Sequence, residues 1–580
     1  MDRDRLNLLI DMAAGRRPAD LLIANCRLVD VFNQELIDGP LAVGQGLIVG
    51  FGPGYQARET VDAEGGVVLP GLIDGHVHIE SSSLSPAQFA RLILPFGTTA
   101  IVADPHEIAN VSGLDGIRYM LEASRRLPLT VRIMLPSCVP SAPFEKAGAV
   151  LTAEDLESLI EEDGVLGLGE MMNYPGVINR DPEVIEKLLM AARHGRPVDG
   201  HSPGVGGRDL AAYVAAGIRT DHECSTLAEM KERLRLGQYV LMRLGSSAND
   251  LRELLKGVSP ANARRCVLCT DDREAADILS TGHLNRLLRQ CVADGFDPPA
   301  AVALATLNAA ECFGLKGKGG LAPGWDADLV IVRDLKEFQV GRVFIAGREV
   351  ARDGRLSVEP DGYVSAKVLN TVRLPALNEN SFRLPLAGGR IRVIGNVPNS
   401  LLTENLSLTV KRNARGDFEA ALNPGLNKLA VIERHRASGE TGLGVLSGYG
   451  LKNGAIAASV AHDSHNLIVA GDNDPDMLLA AREVEKIGGG YAVVRAGELL
   501  AALPLPIGGL MSDRPAAEVA AGLEKIIEAA HRRLGLPETF HPLVNLIFLA
   551  LPVIPELKLT SGGLFDVNAF RPVPICLDTV

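Results

Sequence analysis

The sequence predicts an α/β chain built around a (β/α)8 barrel resembling that of triosephosphate isomerase, with a small discontinuous β-sandwich and a C-terminal α/β domain. Three observations support this prediction. The chain has 580 residues, more than one core usually serves, so two or three domains are expected. Between residues 67 and 320, short apolar runs alternate with segments of helical period, as in repeated βα units. Most of these runs end in His, Glu or Asp, the residue types that an active site at the mouth of a barrel requires.

In the remaining segments, turn-forming residues separate short apolar runs. Brief apolar runs broken by Gly, Asn and Asp predict a helix and short strands before residue 65, over Leu21–Val29, Leu41–Phe51 and Thr60–Asp62. Short strands resume after Gly324 and are expected to rejoin the N-terminal ones. We therefore predict a β-sandwich from 1–65 plus 322–362, a catalytic barrel over 66–321, and a separate α/β domain over 363–580.

The first barrel strand ends in His76-Val77-His78. Side chains alternate faces along an extended strand, so His76 and His78 point the same way. Neutral imidazole is a common nitrogen ligand of transition metals. A His-x-His pair alone also fits two surface histidines, so the metal interpretation depends on the other strand ends.

Those strand ends supply further side chains of the same kind. The fourth to sixth strands end near Glu170, His201 and His222, and the eighth ends near Asp271. We expect six residues to form one metal centre, which we name the six-residue cluster: His76, His78, Glu170, His201, His222 and Asp271. Six protein ligands exceed what one metal with a bound water requires, which favours two metals. Imidazoles with carboxylates suit Mn, Fe or Zn, whereas Ca and Mg favour oxygen ligands.

Glu170 is the candidate for the bridging ligand, because a carboxylate can contact two cations through its two oxygens. A carbamylated lysine is the alternative bridge, but no lysine stands at an equivalent strand end. Two metals lower the pKa of a bound water and supply hydroxide at neutral pH. Asp271 could ligate one metal and also accept the proton during attack. His106 is placed near the substrate, as a polarising or proton-relaying group or a further metal contact; a loop histidine satisfied by the backbone is the alternative.

Composition excludes several classes of partner. The formal net charge is −13, and no long Lys/Arg cluster offers the positive charge that nucleic acid binding requires. No apolar run reaches the roughly 20 residues that cross a bilayer. The N-terminus lacks the features of a signal peptide, and the eight cysteines are dispersed, unlike a disulfide scaffold. We expect a cytoplasmic protein.

Longer motifs around these residues carry a resemblance. Gly75-His76-Val77-His78-Ile79-Glu80-Ser81-Ser82 and Ala103-Asp104-Pro105-His106-Glu107 are similar to segments of the bacterial adenine deaminase family, within the amidohydrolase superfamily. The same holds for 167–173, 199–204, 220–223, 269–273, 450–456 and 461–466, so the resemblance covers almost the whole chain.

The resemblance implies a metal-dependent hydrolase that acts on a cyclic amidine C–N bond. Metal-activated hydroxide would attack C6 of adenine, giving hypoxanthine and ammonia in purine salvage. It also implies two divalent ions, Mn(II) or Fe(II), with Zn sharing the same ligands. The catalytic candidates are Asp271, His106 and Glu170. A homodimer is expected because such barrels commonly assemble.

Several alternatives stay open at this point. Another deaminase or cyclic amidase of the superfamily could act on a different aminopurine or a cyclic amide. A non-catalytic scaffold is the other class, although it would be expected to have lost metal ligands. Glu80, Ser81 and Arg273 are substrate-contact candidates by proximity alone. His462 and His465 could bind a further metal, close over the pocket, or belong to a structural loop.

Overall fold

A computed structural model describes residues 2–246 and 248–578. The N-terminal part begins with helix α1 (Arg3–Ala13), whose first turn is capped by the side chain of Asp2. Short strands follow, mostly half-buried: β1 (Ala19–Ala24), β2 (Arg27–Asp30), β3 (Glu35–Asp38), β4 (Leu41–Gly44), β5 (Leu47–Phe51), β6 (Ala57–Asp62) and β7 (Val67–Pro70).

Two of the N-terminal runs that we predicted are each divided in the structure. Leu21–Val29 separates into β1 and β2 at Asn25, which has a φ of 52°, and the two strands belong to different sheets. Leu41–Phe51 is a hairpin of β4 and β5 that turns at Gln45 and Gly46, both with positive φ. The prediction described these runs as broken by Gly, Asn and Asp but did not assign where each strand begins and ends.

The central part alternates strands and helices. Its elements are β8 (Leu72–His78), α2 (Pro86–Ile93), β9 (Thr98–Ala103), α3 (His106–Ser124), β10 (Thr130–Leu135), α4 (Ala153–Glu157), β11 (Val165–Met171), α5 (Tyr174–Asn179), α6 (Pro182–Arg193), β12 (Val198–Gly200), α7 (Gly207–Ala215), β13 (Thr220–Asp221), α8 (Leu227–Arg235), β14 (Tyr239–Arg243), α9 (Leu251–Leu255), β15 (Cys266–Cys269), β16 (Asp271–Asp272), α10 (Ala275–Thr281), α11 (Leu284–Ala293), α12 (Pro298–Leu304) and α13 (Leu307–Phe313).

These strands run parallel in two arcs. One arc has the order β12-β11-β10-β9-β8-β16 and the other β13-β14-β15, and β15 packs beside β8 where the arcs meet. Every residue of β8 and β9 is buried, as expected for parallel strands covered on both faces. The predicted barrel is confirmed, and the C-terminal ends of its strands share one rim.

After the barrel the chain returns to the N-terminal strands. Four strands follow α13: β17 (Leu329–Val332), β18 (Val340–Ile345), β19 (Arg348–Arg352) and β20 (Arg355–Leu356). Strand β17 pairs antiparallel with β7, giving a seven-stranded sheet in the order β20-β19-β18-β17-β7-β2-β3. A four-stranded sheet, β5-β4-β1-β6, faces it across an apolar layer that includes Ile23, Val43 and Phe344. Residues on both sides of the barrel thus form one sandwich.

The last third of the chain contains a mixed sheet in the order β22-β21-β24-β23-β26-β25-β27-β28 and a small sheet β29-β30-β31. Its elements are β21 (Arg390–Asn396), β22 (Thr403–Thr409), β23 (Leu426–Ile432), β24 (Thr441–Ser447), β25 (Ala455–Ala458), β26 (Leu467–Gly471), α14 (Asp474–Lys486), β27 (Gly490–Arg495), β28 (Glu498–Pro504), α15 (Ala516–Leu534), α16 (Pro542–Ile547), β29 (Leu557–Thr560), β30 (Gly563–Asp566) and β31 (Arg571–Pro572).

This C-terminal part packs directly on the barrel. Ile108 and Leu135 of the barrel belong to the same buried apolar cluster as Ile456 and Leu505. The backbone N–H of Ser512 donates to the carbonyl of Ser83 at 2.9 Å, and Ser85 N–H donates back to Ser512 at 2.8 Å. The three-domain division stays a prediction, because the largest core crosses its last boundary. The helices in the described ranges include none with the length and apolar character that a membrane span requires.

Candidate functional site

The six-residue cluster lies at the carboxyl ends of the parallel barrel strands. His76 and His78 end β8, Glu170 lies near the end of β11, and Asp271 begins β16. His201 directly follows β12, and His222 directly follows β13. Each side chain is buried or nearly so, with His201 the most exposed at 22%. The topology therefore gathers six ligand-type side chains from five segments of the chain.

His76 and His78 face each other through their Nε2 atoms, which lie 3.1 Å apart. Each ring is held on its other side: Nδ1 of His76 lies 2.8 Å from Oδ2 of Asp199, and Nδ1 of His78 lies 2.8 Å from the carbonyl oxygen of Asp104. Both acceptors require a proton on Nδ1. In neutral rings, two Nε2 lone pairs then converge on one point, an arrangement that a bound cation stabilises.

Glu170 stands between two groups of histidines. Its Oε1 lies 3.4 Å from Nε2 of His78 and 3.2 Å from Nδ1 of His106. Its Oε2 lies 2.9 Å from Nδ1 of His201 and 3.2 Å from Nε2 of His222. Each carboxylate oxygen thus faces a different pair of rings, which is the disposition that a ligand shared by two cations needs.

The two carboxylate oxygens of Asp271 also have different partners. Its Oδ1 lies 3.3 Å from Nε2 of His78 and 3.8 Å from Nε2 of His76. Its Oδ2 accepts a hydrogen bond from Nη1 of Arg243 at 3.0 Å. The Arg243 guanidinium also binds both carboxylate oxygens of Glu223. One oxygen of Asp271 is therefore directed to the histidines while the other is fixed by a permanent cation.

The charge state of the cluster fits divalent cations. Burial alone would raise the pKa of Glu170, but the adjacent rings of His106, His201 and His222 hold it well below its usual range. Burial likewise opposes ionisation of Asp271, and the contact with His78 and the charges of His222 and Arg243 lower its pKa well below the usual range. Two ionised carboxylates and convergent imidazole nitrogens form a donor set suited to Mn, Fe or Zn.

His106 lies beside the cluster. Besides its contact with Glu170, it places Nε2 3.4 Å from Oε1 of Glu107, while its Nδ1 is buried without a hydrogen bond among the described residues. The ring packs edge-on against His78, with centroids 4.6 Å apart. Hydrogen bonding by its backbone, the alternative interpretation of this residue, does not account for an unpaired ring nitrogen facing Glu170.

The C-terminal part closes one side of the pocket. A cavity of about 660 Å³ extends from Glu170 and Asp271 to His462, Phe548 and Ile554, a volume in the range of small-molecule sites. His462 and His465 both contact Glu107, with Nδ1 of His462 2.7 Å from Oε1. The strand-end pattern could not reveal these two histidines, because they come from the loop between β25 and β26.

The three substrate-contact candidates lie together beside this cavity. Ser81 donates to Asp272, Glu80 accepts the backbone N–H of Ile108 at 3.3 Å, and Arg273 donates to Thr281 at 2.8 Å. One carboxylate oxygen of Glu80 and two nitrogens of Arg273 have no hydrogen-bond partner among the described residues. All three residues line a smaller cavity next to the six-residue cluster.

Sequence reasoning missed four residues that complete the site. Arg243 and Asp272 stand at strand ends, so the rule that selected the six-residue cluster could have included them. Asp199 precedes His201 and positions His76 from outside the cluster. Glu107 follows His106 directly, but its importance depends on contacts with residues more than 350 positions away.

Family models match two long segments of the chain. The amidohydrolase family matches residues 67–350, and the adenine deaminase C-terminal domain matches residues 400–571. These segments contain, respectively, the six-residue cluster and the loop that carries His462 and His465.

Curated relatives match nearly end to end. The adenine deaminase of Nitratidesulfovibrio vulgaris (strain Hildenborough) is 56% identical over 568 residues, covering 98% of each chain. Adenine deaminase 2 of Carboxydothermus hydrogenoformans is 47% identical over 98% of this chain and 99% of its own. The adenine deaminase of Clostridium acetobutylicum is 46% identical over 97% and 98%. Among solved structures, a zinc-bound adenosine deaminase of Xanthomonas campestris aligns with 59% of this chain and 94% of its own, at 18% identity and a TM-score of 0.43.

Proposed function

The chain belongs to the adenine deaminase family, and on that premise we propose that it converts adenine and water to hypoxanthine and ammonia at the six-residue cluster. The chain is a metal-dependent hydrolase of the amidohydrolase family. The arrangement around Glu170 supports this location of the site most directly. Each of its two carboxylate oxygens faces a separate pair of histidine nitrogens.

The residues divide into two sets of ligands. His76, His78 and Asp271 would hold one cation, His201 and His222 the other, with Glu170 contacting both. The resemblance to the family favours Mn(II) or Fe(II), and Zn(II) shares these ligands. When bound, two divalent cations would lower the pKa of a water molecule and supply hydroxide near neutral pH.

Side chains of the protein then transfer protons between water and the purine. Water adds at C6 of the purine, one of its two protons reaches a ring nitrogen, the other reaches the exocyclic amine, and the amine leaves as ammonia. Oδ1 of Asp271 is the group placed to accept the proton from the water and return it to the leaving amine. Arg243 holds the other oxygen, so Asp271 presents one atom in one orientation during both transfers.

His106 is a second group in position for this chemistry. Its ring lies between Glu170 and Glu107, and both carboxylates, against the effect of burial, raise the pKa of His106 well above its usual range. A protonated imidazole here would polarise the substrate or relay a proton to a ring nitrogen.

The test is the ultraviolet absorbance of adenine incubated with protein purified under iron-free conditions and loaded with Mn(II). We expect conversion to hypoxanthine by the wild-type protein and its loss in Glu170→Ala and Asp271→Ala. His194→Ala, on the protein surface beside Glu157 and Glu161, serves as the control and should retain activity. Absence of conversion with two metals bound per chain would refute adenine as the substrate.

Three further proposals stand beside the reaction. We propose a homodimer, a cytoplasmic location, and the domain division 1–65 plus 322–362, 66–321 and 363–580. Light scattering of the purified protein tests the first, cell fractionation the second, and limited proteolysis at the stated boundaries the third.

A further inference from the structure

Glu107 joins the barrel to the C-terminal part through three histidines. It lies in the first turn of α3, is 3% exposed, and contacts His106 of the barrel as well as His462 and His465. Burial opposes its ionisation, but His462, His465 and His106 hold the pKa of Glu107 well below its usual range. A buried carboxylate that is surrounded by imidazoles acts as an anion and fixes the rings that donate to it.

His465 is held in one tautomer. The backbone N–H of Ala461 donates to its Nδ1 at 3.1 Å, so Nδ1 carries no proton. Burial lowers the pKa of His465 to about 4, and the neutral ring therefore carries its proton on Nε2, which donates to Glu107. A ring nitrogen that carries a proton has no lone pair for a metal, so Nε2 of His465 is arranged to donate to Glu107 rather than to bind a metal.

His462 is held differently. Its Nδ1 lies 2.7 Å from Oε1 of Glu107, and its ring stacks on Phe548 with centroids 4.4 Å apart and planes within 14°. The residue lines the cavity that also contains Glu170 and Asp271. Among the described residues, none forms a hydrogen bond with Nε2 of His462. This nitrogen is not fully buried, and we infer that it faces the cavity.

We propose that Nε2 of His462 donates a hydrogen bond to a ring nitrogen of the purine, and that Glu107 and His465 position it for this contact. The inference rests on the proposed function and names a residue that recognises the substrate. Phe548 supports the face of the imidazole, and Glu107 fixes its rotation, so little side-chain freedom is lost when the base binds. The charge of Glu107 favours a protonated His462, whose pKa rises to about 9 despite burial, and purine ring nitrogens are acceptors for such a donor.

The experiment uses the full-length, Mn(II)-loaded protein and measures KM and kcat for adenine together with metal content. We expect His462→Ala to raise KM at least tenfold while kcat changes less than threefold and the metal content is unchanged, because the contact exists before and during reaction. His462→Gln, which keeps a donor, should fold as the wild type does and raise KM less. His194→Ala is the matched control.

Two further variants separate positioning from direct contact. His465→Ala should raise KM by a smaller factor, and His465→Gln should restore it, since a glutamine amide can also donate to Glu107. Competitive binding of 1-deaza-, 3-deaza- and 7-deazaadenine identifies the contacted nitrogen. The analogue that lacks this nitrogen should bind wild type and His462→Ala with equal affinity.

The outcomes are distinguishable. An unchanged KM in His462→Ala with adenine deamination intact would overturn this inference and leave the proposed function standing. Loss of one metal ion in His462→Ala or His465→Ala would overturn it in favour of a metal site. A wild-type protein that holds two metals and leaves adenine unchanged would refute the proposed function itself, and the inference with it.

Discussion

Arg243 donates from Nη1 to Oδ2 of Asp271 at 3.0 Å, while Oδ1 of the same carboxylate lies 3.3 Å from Nε2 of His78. The proposed proton carrier therefore has one oxygen fixed by a guanidinium and one turned toward the histidines. Arg243 is itself held by Glu223 and Asp250, so three carboxylates determine where this guanidinium lies. The orientation of Asp271 depends on a network that extends beyond the metal ligands.

Replacement of Arg243 should impair catalysis without removing the metals. A charge-assisted hydrogen bond contributes about 1.5–3 kcal/mol, so Arg243→Gln should lower kcat by roughly 10- to 100-fold. Arg264→Gln, which removes an exposed arginine paired with Glu311, is the control. Steady-state kinetics and metal analysis check this, and an unaltered kcat in Arg243→Gln would show that Asp271 is oriented without it.

Glu170→Gln should reduce both metal content and activity. The amide keeps the shape of the side chain but lacks the negative charge that two cations share, so bound metal should fall from two ions per chain to one or none. We expect kcat/KM to fall about 10³-fold, the effect of losing several kcal/mol of stabilisation. Glu183→Gln, on α6, is the control. Retention of two ions in Glu170→Gln would rule out a shared ligand.

Asp199→Asn should weaken metal binding through His76. Oδ2 of Asp199 lies 2.8 Å from Nδ1 of His76, and such a carboxylate increases the basicity of the ring. Loss of its charge should lower metal affinity about 10- to 100-fold. The concentration of chelator that removes half the activity measures this, with Asp209→Asn as the control. Equal chelator sensitivity in wild type and variant would contradict it.

Glu145→Gln should stabilise the protein in a pH-dependent manner. Burial raises the pKa of Glu145 from 4.5 to about 8. Below pH 4.5 the folded and unfolded states both hold the proton; as pH rises to about 8, the unfolded state loses it first, so folding becomes less favourable.

The stability advantage of Glu145→Gln over wild type should therefore increase between pH 4.5 and pH 8, by roughly 5 kcal/mol at about 1.4 kcal/mol per pKa unit. Thermal melting at several pH values measures it. Glu154→Gln, at an exposed position on α4, should show no such trend, and an advantage that is constant with pH would refute the assignment.

The sequence was sufficient for the barrel because its signals are local and repeated. An apolar strand that ends in His76 and His78, or in Glu170, identifies both a strand and the rim to which it points. The same rule fails for Glu107, since helix α3 begins at His106 and nothing local shows that this carboxylate meets His462 and His465. Contacts between residues far apart in the sequence produce no periodic pattern from which they could be predicted.

The N-terminal strands show a second limit. Asn25 adopts a positive φ and so divides an apolar run between two sheets. The apolar character of the run as a whole does not show the conformation of this one residue. The return of β17 to pair with β7 was predictable, because short strands reappear after the barrel, but the register of Leu329 opposite Pro70 was not.

The contact of Glu107 with His462 and His465 has a consequence for synthesis of the protein. A ribosome completes every barrel strand and all six proposed metal ligands about 190 residues before it reaches His462, counting from Asp271. Until that segment is added, Glu107 lacks two of its three histidines, and the pocket lacks the side that Phe548 covers. If His462 recognises the substrate as proposed, a chain terminated before residue 462 would lack a finished substrate pocket even with all six proposed metal ligands present.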